Sequence, residues 1–234
     1  MTSMFLTAKD IATMIDLSCV RTTSSKDDIE EMVEAARKYG FGQVSVLQCF
    51  IPYTQQLLKG STDIRLVGNV SFPSGSDSTS LKIVQAKEMM ASGCDEIDMV
   101  MNIGKLRSGE LAEVETDVRA IVEIVHPIPV KVIIEIMYLT PHETSQACDI
   151  CVGSGAAFIK TGTGWAPRGT TLEDVQLIKS LVSDRIRIKA SGGIRDLKTL
   201  LDMYDAGASR FGVNLKSGIK IVEECLASGA KVEI

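Results

Sequence analysis

The chain has 234 residues, of which 45% are hydrophobic and 24% charged, and its net charge is −5. That is enough for one well-buried domain and close to the ~250 residues of an eight-fold βα barrel, with no room for a large disordered part. The negative charge excludes broad attraction to nucleic acid or to an anionic membrane, because both need a cationic surface.

The opening stretch MTSMFLTAKDIATMIDLS lacks a basic start followed by a long apolar run, so no signal peptide is expected. No run of ~20 apolar residues offers a membrane span, and a cytoplasmic location is expected. From there, short β-rich apolar runs alternate with longer stretches of helical period. Strands are expected at 14–17, 43–47, 64–70, 96–101, 130–136, 158–161, 187–191 and 210–213, and helices among the segments between them, such as 25–39, 79–92, 110–125, 171–181 and 197–206.

Several helices carry their own punctuation. Ser25 precedes the first of these, Asp27 and Asp28 lie in its opening turn, and Gly40 closes it, as the helix dipole and a left-handed cap require. Gly93, Gly153 and Gly207 are expected to stop three later helices in the same way. The strand-then-helix order makes the strands parallel. An open doubly wound sheet would give the same rhythm, but eight strands at this length, with no G-x-G-x-x-G after the first, favour a closed (β/α)8 TIM barrel as a single domain over 1–234.

Six cysteines, Cys19, Cys49, Cys94, Cys148, Cys151 and Cys225, are scattered without a disulfide framework and are expected as reduced thiols. Cys148 and Cys151 form a C-x-x-C inside a helical pattern with no second pair, which reads as two packed thiols rather than a redox or metal site. No other spacing suggests a metal, and no cofactor is expected. His126 and His142, the only histidines, are expected at the surface or at helix ends.

In a βα barrel the reacting groups stand at the C-terminal ends of the strands. Three strands hold polar residues that a core strand has no need of: Asp98 in Glu96-Ile97-Asp98-Met99-Val100, Lys160 in Ala157-Phe158-Ile159-Lys160-Thr161, and Lys189 in Ile186-Arg187-Ile188-Lys189-Ala190. One such lysine alone would be read as reaching solvent or an ion pair. Two on neighbouring strands read differently. A desolvated lysine beside another cation loses proton affinity and can condense with an aldehyde or ketone. In this reading Lys160 is the nucleophile, Lys189 tunes it, and Asp98 moves protons, through a water.

Glycine-rich turns follow the last three strands: Lys160-Thr161-Gly162-Thr163-Gly164, Ala190-Ser191-Gly192-Gly193-Ile194 and Phe211-Gly212-Val213-Asn214. Each could be a tight turn and nothing more. Three in succession suggest a phosphate held by backbone N–H groups and a helix N-terminus, with Gly164, Gly192, Gly193, Gly212 and Asn214 as candidates.

These segments, together with Asp95 to Gly104, Lys131-Val132-Ile133-Ile134-Glu135, Tyr138-Leu139-Thr140 and Ala190 to Arg195, resemble the deoxyribose-phosphate aldolase family over most of the chain. The resemblance implies a metal-free enzyme that reversibly cleaves 2-deoxy-D-ribose 5-phosphate to acetaldehyde and D-glyceraldehyde 3-phosphate. It assigns Lys160 to a Schiff base, Lys189 to tuning its pKa and Asp98 to proton relay, and puts Asp16 at a family position near the substrate, where a turn-capping acid is the plain alternative. It leaves a homodimer open, with a small sugar phosphate as the partner. The chain departs from the family pattern at Gly162 (commonly serine), at Trp165 (a lysine in some members), at Asn214-Leu215 (a serine pair) and at Ser45, where members carry a cysteine. These departures keep two alternatives in view: a related Schiff-base aldolase for a different, non-phosphorylated aldehyde or sugar, and a non-catalytic sugar-phosphate-binding barrel. Glu135 is expected on the fifth strand as a structural partner for a lysine.

Overall fold

The computed structural model describes residues 5–229 and 231–233. The expected domain 1–234 and the N-terminal segment read for a leader therefore extend slightly beyond the described residues.

After a short strand β1 (Phe5–Thr7), eight strands follow in chain order: β2 (Ile15–Cys19), β3 (Gln43–Val46), β4 (Arg65–Val70), β5 (Glu96–Val100), β6 (Val130–Ile133), β7 (Phe158–Lys160), β8 (Arg187–Ser191) and β9 (Ala208–Asn214). They close into a parallel barrel in which β9 returns to pair with β2, so the expected TIM barrel is the observed one. The unforeseen element is an antiparallel clasp between β1 and β10 (Lys231–Glu233). Helices cover the outside of the barrel, as parallel crossovers demand.

The period of two along each strand sorts the residues. Leu17, Val44, Val46, Ile97, Met99, Val132, Ile159, Ile188, Ala190 and Phe211 belong to the continuous buried core. The alternate set, Asp16, Gln43, Ser45, Asn69, Glu96, Asp98, Lys131, Lys160, Lys189 and Ser191, is polar and equally buried. Lys131 on β6 lies 3.6 Å from Asp16 on β2, so this second set points into the barrel. Its polar filling decides what the barrel can do.

Local signals behave as their chemistry predicts. Ser25 and Asp28 form a capping box for the helix Lys26–Tyr39, and Gly40 closes it at φ 77°. Gly93 and Gly207 take left-handed φ, but Gly153 does not: it is the last residue of the helix Pro141–Gly153, and Gly155 at φ 75° makes the turn. The fifth expected strand is also shorter than the apolar run suggested. It ends at Ile133, and Glu135 takes a left-handed φ of 46° that starts the turn Ile136–Tyr138. Cys148 and Cys151 are free and buried in their helix, where burial pushes the Cys148 thiol up to about 12 and Cys151 well above its ordinary value. Thiols so raised are inert packing groups. His126 caps the helix Leu111–Val125 and His142 lies in the first turn of Pro141–Gly153, both exposed.

Candidate active site

Strands β2, β5, β6, β7 and β8 bring three lysines and three carboxylates together inside the barrel, with Lys160 at the C-terminal end of its strand. Lys160 and Lys189 are paired in register on β7 and β8. Both donate to the same oxygen, Asp98 Oδ2, at 2.7 and 2.9 Å. Lys189 also pairs with Asp16 at 2.5 Å. The third lysine, Lys131, lies 3.2 Å from the other oxygen of Asp98 and 2.5 Å from Glu96.

The electrostatics follow from that geometry. Burial, reinforced by the charges of Lys189 and Lys131, brings the Lys160 amine down to about 8 against the opposing pull of Asp98. An amine so placed is a fraction unprotonated near neutral pH, which is what nucleophilic attack on a carbonyl needs. Burial would push the Asp98 carboxyl up, but Lys131, Lys160 and Lys189 outweigh it and hold the group well below the usual carboxylate range. Lys131 is also penalised by burial, yet Asp98, Asp16 and Glu96 raise it above an ordinary lysine. One lysine of the three is thus made chemically available while another is locked as a cation.

Sequence reasoning brought Lys160, Lys189 and Asp98 together correctly in space but missed Lys131 and Glu96. Their signal was present: a lysine inside Val130-Lys131-Val132-Ile133 and an acid at the head of Glu96-Ile97-Asp98 have the same period as the residues singled out. Asp16 is not a turn cap. It is 1% exposed and lines a narrow cavity with Lys160.

Above that cavity lies a wider one of about 290 Å³, and Gly164, Gly192, Gly193, Gly212 and Asn214 all line it. Gly164, Gly192 and Gly193 have φ of 79°, 94° and 86°, a region that other residues enter only with strain. The Asn214 side chain accepts from Ser217 N and caps the helix Leu215–Ala227, so that helix presents its N-terminus to the cavity. Arg21, Arg168 and Arg195, which the sequence reading did not single out, add positive charge to the same wall. Backbone N–H groups, a helix N-terminus and guanidinium groups together suit a phosphate.

The departures from the family pattern have physical accounts. A Cβ at Gly162 would stand 2.8 Å from Glu135 Oε1 and 2.8 Å from Met137 Cε, so a serine there would have to displace the ends of both side chains. Glu135 is held beside Gly162 by accepting from Thr163 N at 3.0 Å and Thr163 Oγ1 at 2.6 Å. Its partner is therefore the loop after β7 and not a lysine. Trp165 Nε1 donates to Val20 O at 3.2 Å, and the Arg21 guanidinium lies 5.7 Å from the indole centre while donating to Gly164 O at 2.9 Å. Trp165 and Arg21 thus tie the loop after β7 to the loop after β2.

The chain is similar to known proteins in sequence and in fold. A family model described as DeoC/LacD family aldolase matches residues 10–220. The chain is 40% identical over 230 residues to the deoxyribose-phosphate aldolase of Sinorhizobium medicae, covering 98% of this chain and 93% of that one. Among solved structures, an aldolase designated QR15 superposes with a TM-score of 0.88 at 38% identity, covering 94% of this chain and 97% of its own. A putative deoxyribose-phosphate aldolase from Coccidioides immitis gives a TM-score of 0.89 at 32% identity, covering 94% and 87%. Fold, site and likeness define the class, an aldolase built on a (β/α)8 barrel and hence a carbon–carbon lyase. Within that class the chain belongs to the DeoC/LacD aldolase family.

Proposed function

We propose that residues 1–234 act as one aldolase domain that reversibly cleaves 2-deoxy-D-ribose 5-phosphate to acetaldehyde and D-glyceraldehyde 3-phosphate through a Schiff base on Lys160. The observation that carries this reading is the lowered Lys160 amine, 2.7 Å from an ionised Asp98, in a narrow cavity that shares Thr163, Ser191 and Gly212 with the one suited to phosphate. In the cleavage direction the neutral amine adds to C1 of the open-chain sugar, and loss of water gives an iminium ion. Its positive charge draws in the electrons of the C3–C4 side of the chain only through C2, so the bond that breaks is C2–C3, as the C3 hydroxyl gives up its proton. D-glyceraldehyde 3-phosphate departs, the enamine regains a proton at C2, and water releases acetaldehyde.

Asp98, held as a carboxylate by three lysines, serves the proton transfers through a water, and Lys189 keeps the Lys160 amine low. Gly164, Gly192, Gly193, Gly212 and Asn214 hold the phosphate, and Asp16 faces the sugar end. The reading includes no metal or cofactor. It includes a cytoplasmic location; among the described residues no helix is long and apolar enough to cross a membrane. It allows a homodimer, to be read by sedimentation.

Acetaldehyde with borohydride should leave a reduced adduct that mass spectrometry places on Lys160; no adduct would remove the covalent mechanism. Comparing kcat/KM for deoxyribose 5-phosphate and deoxyribose tests the phosphate. Equal values would transfer the assignment to an aldolase for non-phosphorylated substrates, and ligand-dependent thermal stabilisation without turnover would point to a binding barrel.

A further inference from the structure

The narrow cavity beside Lys160 has a polar wall that the proposed reaction does not use. Asn69 on β4 points into the barrel and is 1% exposed. Its Nδ2 donates to Ser45 Oγ at 3.0 Å and to Val46 O at 2.9 Å. A backbone carbonyl can only accept, so Val46 fixes which end of the amide is nitrogen. The other end, Asn69 Oδ1, is buried without a hydrogen-bond partner among the described residues. Ser45 Oγ accepts from Asn69, which leaves its own hydrogen to donate.

An acceptor and a donor therefore flank one small space. Asn69, Ser45 and Lys160 line the same cavity of about 20 Å³, room for about one group the size of a water or a hydroxyl. Asn69 is in register with Asp98, whose carboxylate touches the amine, and β4 lies across the barrel from the glycine turns after β8 and β9. This wall thus meets the end of the substrate that is bonded to Lys160, not the phosphate end. Acetaldehyde offers it only C–H groups, and a buried carbonyl left unpaired is costly.

We propose that Asn69 and Ser45 form a hydroxyl subsite for the aldehyde activated by Lys160, so that the enzyme takes a 2-hydroxyaldehyde, glycolaldehyde being the smallest, in the place of acetaldehyde. The inference rests on the Schiff-base reading above. The Lys160 amine bonds to C1 of glycolaldehyde and water leaves; a proton then leaves C2 to give the enamine, with the C2 hydroxyl donating to Asn69 Oδ1 and accepting from Ser45. C2 bonds to the carbonyl carbon of D-glyceraldehyde 3-phosphate, whose oxygen takes up a proton. Water returns, freeing the amine and an aldopentose 5-phosphate. The two substrates sum to the product, and no oxidant or reductant is needed.

The test uses the full chain with D-glyceraldehyde 3-phosphate as acceptor, and compares kcat/KM for glycolaldehyde and for propanal, which carries a methyl in the place of the hydroxyl. The phosphorylated product is identified by mass spectrometry. Wild type should favour glycolaldehyde by about tenfold or more, because a site built to pair a hydroxyl rejects the analogue without it. Asn69→Val should shift that ratio about tenfold toward propanal, and Ser45→Ala should shift it in the same direction by less. A wild type that prefers propanal, or a ratio unmoved by both substitutions, overturns the proposal. Should Asn69→Val fail to fold, the wild-type ratio and Ser45→Ala decide. Acetaldehyde run in parallel separates the two readings: no adduct and no turnover with it removes the Schiff base itself, whereas turnover with acetaldehyde but none with glycolaldehyde removes only the subsite.

Discussion

Inside the barrel, charge is managed by side chains alone; at its rim, backbone at glycines shares that work with arginines. Below the mouth, Lys131, Lys160 and Lys189 face Asp16, Glu96 and Asp98 in a network where most members touch more than one partner. Above it, the candidate phosphate wall combines glycines, three of them (Gly164, Gly192 and Gly193) at positive φ, with Arg21, Arg168 and Arg195. In the first region each group's protonation depends on its neighbours, so one substitution changes several. In the second, the conformation of the chain at the glycines sets the geometry, and a side chain added there obstructs it.

Substitutions can break or sharpen that contrast. The largest effect belongs to Lys160→Met, which should lower kcat/KM by about four orders of magnitude or more and abolish the borohydride adduct, since it removes the amine that forms the covalent bond. Next comes Asp98→Asn. It strips three buried cations of their common carboxylate and should cost about 3–5 kcal/mol of stability, read by urea unfolding at pH 7. A loss under 1 kcal/mol would show that the charges are not coupled.

At the rim, Gly193→Ala sets a Cβ 3.0 Å from Gly169 Cα at a φ of 86°. It should raise KM for the phosphorylated substrate about tenfold while kcat changes less, as backbone strain of about 1–3 kcal/mol would produce. A fall in kcat with KM unchanged would mean that rim and interior are not separate.

The pH profile gives a smaller and more diagnostic effect. The charge of Lys189 helps hold the Lys160 amine at about 8, so Lys189→Met should raise that value and move the acid limb of the kcat/KM profile to higher pH. A limb that stays or moves down would assign the lowered amine to burial alone.

The smallest effect runs against intuition. The amine of Lys160 falls to about 8 in the folded chain from an ordinary 10.5. Below the folded value it is charged in both states and folding bears the full penalty. Between about pH 8 and 10.5 the unfolded chain holds the extra proton, so the penalty is relieved as pH rises. Lys160→Met should therefore be more stable than wild type at pH 7, by about 0.5–2 kcal/mol, with the gain shrinking above pH 8. Equal stabilities at pH 7 and pH 10 would contradict the depressed amine.

Much of this was legible in the sequence because the barrel repeats one pattern eight times, and because a charged residue amid β-branched neighbours stands out. Lys160, Lys189 and Asp98 were visible for that reason, and the three glycine turns were visible as turns. Lys131, Glu96 and Asn69 obey the same period but lie next to more conspicuous residues, and only the closed barrel shows that they point inward. The reach of the strand run toward Glu135 misled because Ile133 and Ile134 continue an apolar pattern that the backbone abandons at a left-handed residue. Arg21 and Trp165 are joined by a contact between loops 143 residues apart in the chain for the Arg21–Gly164 bond, which no local pattern encodes.

The clasp between β1 and β10 leads, through the helix Ala8–Thr13, into the N-terminal end of β2, so it lies at the floor of the barrel while the reacting groups stand at the opposite end. A support or fluorescent label attached to that clasp would hold the molecule with its mouth turned outward, open to aldehydes arriving from solution.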